Sequence, residues 1–79
     1  MARVLLFGRL ADQAGWRDRV IEVSSLTALR ERLAADDAAL GEALAGPGVQ
    51  VAVDKAIVRG EAFLKAGAEV AFLPPMSGG

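Results

Sequence analysis

Short apolar runs separated by polar breaks open the chain, a pattern typical of strands. Val4-Leu5-Leu6-Phe7 is bounded by Gly8 and has the length of a buried strand. Residues 11–15 are predicted as a loop or a single turn that ends at a glycine. The partly alternating, β-branched residues 19–23 predict a second strand, paired with the first as a hairpin.

The spacing of apolar residues then changes to that of a helix. Leu26, Leu29 and Leu33 recur at i, i+3 and i+7, so they share one face. Ser25 stands directly before them as a candidate N-cap, and the opposite face of the helix is charged. This amphipathic pattern predicts a helix that lies on a sheet.

The second half of the chain predicts a short helix and more strands. Asp36 and Asp37 precede the helical spacing of residues 38–44, which stops at Gly46-Pro47-Gly48. We predict three strands after it, at residues 49–53, 56–58 and 70–73. Asp54-Lys55 serves as the tight turn between the first two of these strands. The segment before the last strand is irregular, and we expect its Phe63 and Leu64 to close the end of the core.

Two strands, a main helix and three strands predict an α+β roll, in which a mixed sheet of about five strands is crossed by one helix. The length of 79 residues corresponds to one small domain, and the 53% hydrophobic content favours a folded globule. We place the folded domain at residues 1–75 and a flexible tail at residues 76–79.

Alternation of side chains along the predicted strands indicates two apolar faces. One face belongs to the core and carries Val4, Leu6, Val70 and Phe72. The other face is also apolar, at Leu5, Phe7, Ile57 and Leu73. Because a sheet covered on one side normally exposes polar residues on the other, we interpret the second face as a surface that a partner covers. Coverage by the chain's own loops, or incidental exposure of single residues, is the alternative.

Composition excludes several kinds of chemistry. The net charge is −1 with both signs interspersed, which indicates neither a nucleic acid nor a membrane as a partner. No apolar stretch approaches the ~20 residues of a transmembrane helix, and no signal peptide is recognisable, so we expect a cytoplasmic protein. Cysteine and histidine are both absent, which excludes disulfides, zinc sites, thiol nucleophiles and a histidine base. We expect no metal and no bound cofactor.

The chain's ending is its most informative feature. Pro74-Pro75 holds the backbone extended as it leaves the last strand, and the chain then ends at Gly78-Gly79. A thin peptide with no Cβ on its last two residues suits insertion into a narrow channel of another protein. A frayed terminus without a role is the alternative. If the chain takes part in a reaction, we expect its reacting group to be the Gly79 carboxylate.

Four segments together resemble a known family: residues 4–8, residues 28–30, the Val53-Asp54 turn before Ile57-Val58, and residues 67–79. They are similar to the small sulfur-carrier subunit of molybdopterin synthase, in the ubiquitin-like MoaD/ThiS family. The resemblance covers the whole chain, and the ending with two prolines before Gly-Gly is its most specific part. Asp54 departs from the asparagine that the family often has in this turn. The resemblance implies a β-grasp fold.

The resemblance also implies a mechanism and a set of partners. Gly79 would be adenylated and converted to a thiocarboxylate that donates sulfur to the cyclic pyranopterin precursor, while Gly78 would let the tail pass through a channel. The expected partners are the large synthase subunit (two small and two large subunits), an E1-like adenylating enzyme that consumes ATP, and a sulfurtransferase. This chain itself would not be an enzyme. The expected partner-binding residues are Phe7, Ile57, Leu73, Pro74, Pro75, Met76 and Ser77.

Two further kinds of function remain open at this point. The first is a sulfur carrier for thiamine or for tRNA thiolation, or a protein modifier that joins its C-terminus to lysines. The second is an interaction module whose tail is inert. We expect Ser77, Gly78 and Gly79 to be mobile in the free protein and ordered in a partner's channel, because they bury too little surface to offset about 1–2 kcal/mol of backbone entropy per residue.

Overall fold

The fold was analysed in a computed structural model, which describes residues 1–75. Within these residues, five strands form one mixed sheet in the order β2-β1-β5-β3-β4. The strands are β1 (Ala2–Leu6), β2 (Asp18–Ile21), β3 (Gln50–Val53), β4 (Ala56–Val58) and β5 (Glu69–Leu73). The helices are α1 (Gly8–Ala14), α2 (Leu26–Asp36) and α3 (Ala38–Leu44). The predicted α+β roll is therefore confirmed.

The last strand lies in the middle of the sheet. β5 pairs parallel with β1, where Leu6 is opposite Phe72, and antiparallel with β3, where Val51 is opposite Phe72. β2 and β4 complete the edges through antiparallel pairing. Because β5 lies between β1 and β3, the chain leaves the sheet after β5 at a point between these two strands.

Capping residues and leucines position the helices on one face of the sheet. The hydroxyl of Ser25 accepts a hydrogen bond from the Ala28 N–H at 3.1 Å, as predicted for an N-cap. Asp37 caps α3 in the same way by accepting from the Leu40 N–H. The leucines of the two helices and the inward residues of the strands form one core, with Leu26, Leu29, Leu33, Leu40 and Leu44 all at most 2% exposed.

The β3–β4 turn has the geometry expected of a two-residue hairpin. Asp54 and Lys55 both have positive φ, 49° and 72°, which matches the right-handed twist of the flanking strands. The Asp54 carboxylate also accepts a hydrogen bond from the Glu69 N–H, and the Asp54 N–H donates to the Glu69 carbonyl. A side chain with an acceptor oxygen is therefore needed at Asp54, which an asparagine would also supply.

Several sequence-based bounds were wrong. The first strand, predicted at residues 4–7, begins at Ala2 and ends at Leu6. Residues 11–15, predicted as a loop or single turn, belong largely to α1, which starts at Gly8 and ends at Ala14, with Gly15 as its left-handed C-cap. The helix has no side-chain hydrogen bond at its N-cap, Phe7, so the usual start signal is missing from the sequence. The second strand starts at Asp18 and ends at Ile21, shorter at its end than residues 19–23 suggested.

The irregular segment before β5 braces α2. The Leu26 N–H donates to the Ala62 carbonyl, and the Thr27 N–H donates to the Glu61 carboxylate, each at 2.9 Å. Hydrogen bonds from Thr27 and from the Ala62 N–H hold the pKa of the Glu61 carboxyl below its usual value. Leu64 is buried at the end of the core, as predicted.

The prediction for the neighbouring aromatic residue was wrong. Phe63 does not close the core; its side chain is 77% exposed. The reason is local geometry: Phe63 forms an isolated antiparallel bridge with Ser25, and successive residues of an extended segment point to opposite sides, so burying Leu64 turns Phe63 outward. None of the helices in residues 1–75 is long and apolar enough to cross a membrane.

Candidate functional site: the outer face and the tail root

A row of apolar residues crosses the face of the sheet opposite the helices. Cross-strand pairing places Leu5 beside Ala71, Ala71 beside Ala52, and Ala52 beside Ile57. Directly paired residues point to the same side of a sheet, with Cβ atoms about 5 Å apart. We define the outer face by this row together with the pair at its tail-side end, that is by Leu5, Phe7, Ala52, Ile57, Ala71 and Leu73.

The middle of the outer face is shallow. Ala52 and Ala71 are 8% and 9% exposed, because the larger neighbours on either side shield their methyl groups. Ile57 protrudes on one side of the two alanines and is 49% exposed, and the half-buried Leu5 lies on their other side. The result is an apolar trough with two small residues at its floor, a shape that fits a protruding apolar side chain of another protein.

Phe7 and Leu73 lie at the end of the outer face where β5 leaves the sheet. The Phe7 N–H donates to the Phe72 carbonyl at 3.2 Å, which holds Phe7 alongside the last residues of β5. The Phe7 side chain is 43% exposed and Leu73 is half-buried. The structure therefore brings Phe7, Leu73 and Ile57 onto one open face, as the alternation predicted.

The opposite corner of this face is polar. Arg3 forms a bidentate ion pair with Asp18, with an Nη2–Oδ2 distance of 2.6 Å. The hydrogen bonds and charge of the Arg3 guanidinium hold the pKa of Asp18 below its usual value. The outer face thus grades from a charged corner at the N-terminal end of β5 to a tail-side end where Leu73 lies between Phe7 and the exposed Gln50.

Pro74 and Pro75, which we define as the tail root, leave the sheet between two turns. On one side Gly8 begins α1, two residues after the end of β1, and on the other side Gly48 lies two residues before β3. A Cβ placed on Gly8 would lie 3.0 Å from Cγ of Pro74, and one placed on Gly48 would lie 2.7 Å from Cβ of Pro75. The absence of side chains at both glycines therefore makes room for the two proline rings.

A shallow groove of about 390 Å³ runs beside the tail root. It lies between α1 and the end of α3 and is lined by Arg9, Leu10, Gln13, Pro47 and Pro75, among others. The Gln13 amide donates to the Ala39 carbonyl across it, which ties α1 to α3. Met76, Ser77, Gly78 and Gly79, which the sequence also predicts to be functional, lie outside the described residues.

The fold and this site define a class of protein: a ubiquitin-like β-grasp domain with an apolar outer face and a tail that leaves its central strand. The chain belongs to the ThiS family, whose sequence profile matches residues 4–79. No curated protein sequence is significantly similar to the chain.

Two solved structures share the fold over nearly the whole chain. The crystal structure of small archaeal modifier protein 1 from Haloferax volcanii superposes with a TM-score of 0.86 at 25% identity, covering 99% of this chain and 98% of that one. The solution structure of small archaeal modifier protein 1 from Methanosarcina acetivorans gives a TM-score of 0.85 at 22% identity, covering 99% and 95%.

Sequence reasoning missed two parts of the site. Ala52 and Ala71 escaped attention because alanine is not a conspicuous apolar residue, although their alternation with Val51 and Phe72 places them on the outer face. In the sequence, Gly8 stands out only as the bound of the first apolar run, and Gly48 only as part of the stop after the short helix. Their contact with the prolines joins residues more than twenty positions apart, and no local pattern signals it.

Proposed function

We propose that the chain is a sulfur carrier for molybdopterin synthesis, with the transferred sulfur held on the carboxyl carbon of Gly79. The observation that supports this is the position of the tail root. Pro74 and Pro75 leave the central strand at the end of the outer face that carries Phe7 and Leu73, so a partner that covers these two residues would also receive the tail. Membership of the ThiS family supports the same proposal.

The proposed sulfur loading has three balanced steps. An E1-like enzyme joins the Gly79 carboxylate to AMP, and ATP loses pyrophosphate. A persulfide on a sulfurtransferase attacks the acyl carbon and displaces AMP, which leaves an acyl disulfide. A second thiol cleaves this disulfide, releasing the thiocarboxylate and forming a new disulfide from the two thiols. The thiocarboxylate is ionised at neutral pH and its sulfur is a good nucleophile, as thiolates are.

In this proposal the chain supplies docking and delivery, and its partners supply the catalytic groups. Its outer face binds the large synthase subunit, and the tail places the sulfur beside the cyclic pyranopterin precursor. Holding a reactant in register in this way contributes a large part of many rate enhancements. Two small and two large subunits would deliver the two dithiolene sulfurs.

Protein modification is a second candidate function, favoured by the likeness to small archaeal modifier protein 1 at 25% identity. The activated acyl group of Gly79 would then pass to a lysine amine of a target protein, forming an amide and releasing the activating group. Both functions share the adenylation step and differ in the nucleophile that follows it.

Intact-mass measurement tests the proposal. Incubation of the full chain with ATP, an E1-like enzyme and a persulfide donor should replace one C-terminal oxygen by sulfur. Deleting Gly79, or adding one residue after it, should abolish this change while the circular dichroism spectrum stays the same. Full sulfur loading of the variant with the added residue would refute the proposed sulfur-carrier function. Adding the large subunit and the precursor to the loaded chain should yield the dithiolene; lysine conjugates instead would favour the modifier.

A further inference from the structure

The path of the tail root carries a further inference, which rests on the proposed function. β5 is the central strand, so its last residue is flanked by a neighbour on each side. After Leu73 those neighbours no longer run beside the chain, because β1 ends at Leu6, the chain turns into α1 at Gly8, and β3 begins after Gly48. The tail root therefore lies between two glycine turns.

Hydrogen bonds of the sheet do not hold the tail root. Proline has no N–H, so neither Pro74 nor Pro75 can donate to a ladder. What lies against the two rings is the bare backbone of Gly8 at one and Gly48 at the other, close enough that an added Cβ would be 3.0 Å and 2.7 Å from a proline carbon. The first distance is tight, and the second is too short for real carbon atoms.

The direction of the tail root matters because a change of angle at Pro75 shifts the end of the tail once the tail is extended in a partner's channel. Gly79 is the fourth residue after Pro75, and four residues span about 13–14 Å when extended. A tilt of about 10° at Pro75 moves the end of a segment of that length by roughly 2 Å. Misplacement of a reacting group by about 1 Å can lower a rate by as much as about 100-fold.

We propose that Gly8 and Gly48 are positioning residues for sulfur transfer: their missing side chains seat Pro74 and Pro75 and so set the direction in which the tail leaves the domain. The two glycines act through the prolines and touch neither the reacting carboxyl group nor the substrate. This role is separable from the conformational need for glycine, since Gly15, Gly60 and Gly67 also have positive φ but make no such contact among the described atoms.

The chain contains a matched control for this separation. Gly48 and Gly67 both have φ of 82°, a left-handed value that an alanine adopts only with strain at either position. Among the described atoms, nothing lies within 4 Å of a Cβ placed on Gly67, and Gly67 is at the opposite end of β5 from the tail. Gly48→Ala and Gly67→Ala therefore differ in the contact with Pro75.

The first experiment compares these two variants in thiocarboxylate formation. We expect Gly48→Ala to lower kcat/KM for the activating enzyme by about tenfold or more, and Gly67→Ala to stay within about twofold of the parent chain. An NMR readout is independent of activity: the residual dipolar coupling of the Met76 N–H should change in Gly48→Ala and stay constant in Gly67→Ala. Equal effects of the two variants on both readouts would overturn the proposal.

A second experiment covers the case in which Gly48→Ala fails to fold. The contact of a Cβ at Gly8 is with Cγ of Pro74, which Pro74→Ala removes. The fold-loss of activity in the double variant Gly8→Ala/Pro74→Ala should therefore be smaller than the product of the fold-losses in the two single variants. In the control pair, Gly15→Ala with Pro74→Ala, the fold-loss should equal that product. A multiplicative result for both pairs would refute the positioning role. A parent chain that is not loaded at all would instead count against the proposed function.

Discussion

Leu6 and Phe72 lie opposite each other on β1 and β5 and are at most 2% exposed, whereas Leu5 and Ala71, one residue earlier on the same strands, lie on the open outer face. Both pairs are apolar. The inner pair is covered by the leucines of α2 and α3, and within residues 1–75 no helix covers the outer pair. One apolar face is therefore used for folding, and the other is left for association.

The small size of the domain explains this difference between the two faces. A chain of this length folds with a modest margin, so the inner face has to be packed closely. An apolar outer face contributes nothing comparable to folding and promotes aggregation, so its retention points to a partner. Mutations on the inner face should consequently lower the free energy of unfolding, whereas mutations on the outer face should weaken binding to a partner.

The largest effect is expected on the inner face. Phe72→Ala removes a fully buried ring at the centre of the core and should lower the free energy of unfolding by about 3–5 kcal/mol, a large part of the stability of a domain this small. Urea unfolding monitored by circular dichroism measures this loss. Leu5→Ala, on the neighbouring residue row of the outer face, is the control and should cost much less. Equal losses would contradict the division of the two faces.

On the outer face the effect should appear in binding. Phe7→Ala and Leu73→Asp should each weaken binding to the large synthase subunit by about 2 kcal/mol or more, since aromatic and apolar anchors dominate packed interfaces. Isothermal titration calorimetry measures the affinity, and urea unfolding measures the accompanying loss of stability, which should be smaller.

Phe63→Ala is the matched control for this prediction. Phe63 is more exposed than Phe7, 77% against 43%, but it is bridged to Ser25 at the start of α2, outside the strands that form the outer face. We expect the affinity of this variant to be unchanged. If Phe63→Ala weakens binding as much as Phe7→Ala, exposure rather than position on the outer face determines the partner contact.

The smallest effect concerns the charged corner of the outer face. Arg3 lowers the pKa of Asp18, so the ion pair stabilises the fold above the usual aspartate pKa of about 3.9, and this contribution is lost as the pH falls through the lowered value. Asp18→Asn should therefore make the melting temperature less dependent on pH below about pH 4. Arg3→Ala should have the same effect, and the double variant should add little to it. Additive effects would show that the two residues act independently.

Local patterns predicted much of the fold correctly. The leucine spacing of α2, the Ser25 cap and the Asp54-Lys55 turn are decided by residues within one or two turns of each other, where sequence signals are strong. The prediction for Phe63 failed in a segment with neither a helical nor a strand period. Helix α1 was missed because its start at Gly8 carries no capping side chain.

Part of the candidate site followed from the sequence as well. Alternation placed Phe7, Ile57 and Leu73 on a common face, because the period of a strand is two wherever it pairs. Ala52 and Ala71, which make the floor of the trough, required the register of three strands. The residues predicted at the tail's end remain predictions, since they lie outside the described residues.

By itself, the sequence determined most of the elements, the two apolar faces and the lack of cysteine and histidine chemistry, because composition and periodicity are local properties of the chain. Its motifs carried the likeness to sulfur carriers. Only the tertiary structure placed β5 between β1 and β3 and so brought Gly8 against Pro74 and Gly48 against Pro75. Such contacts depend on strand order, which is set by packing across the whole core rather than by any single segment.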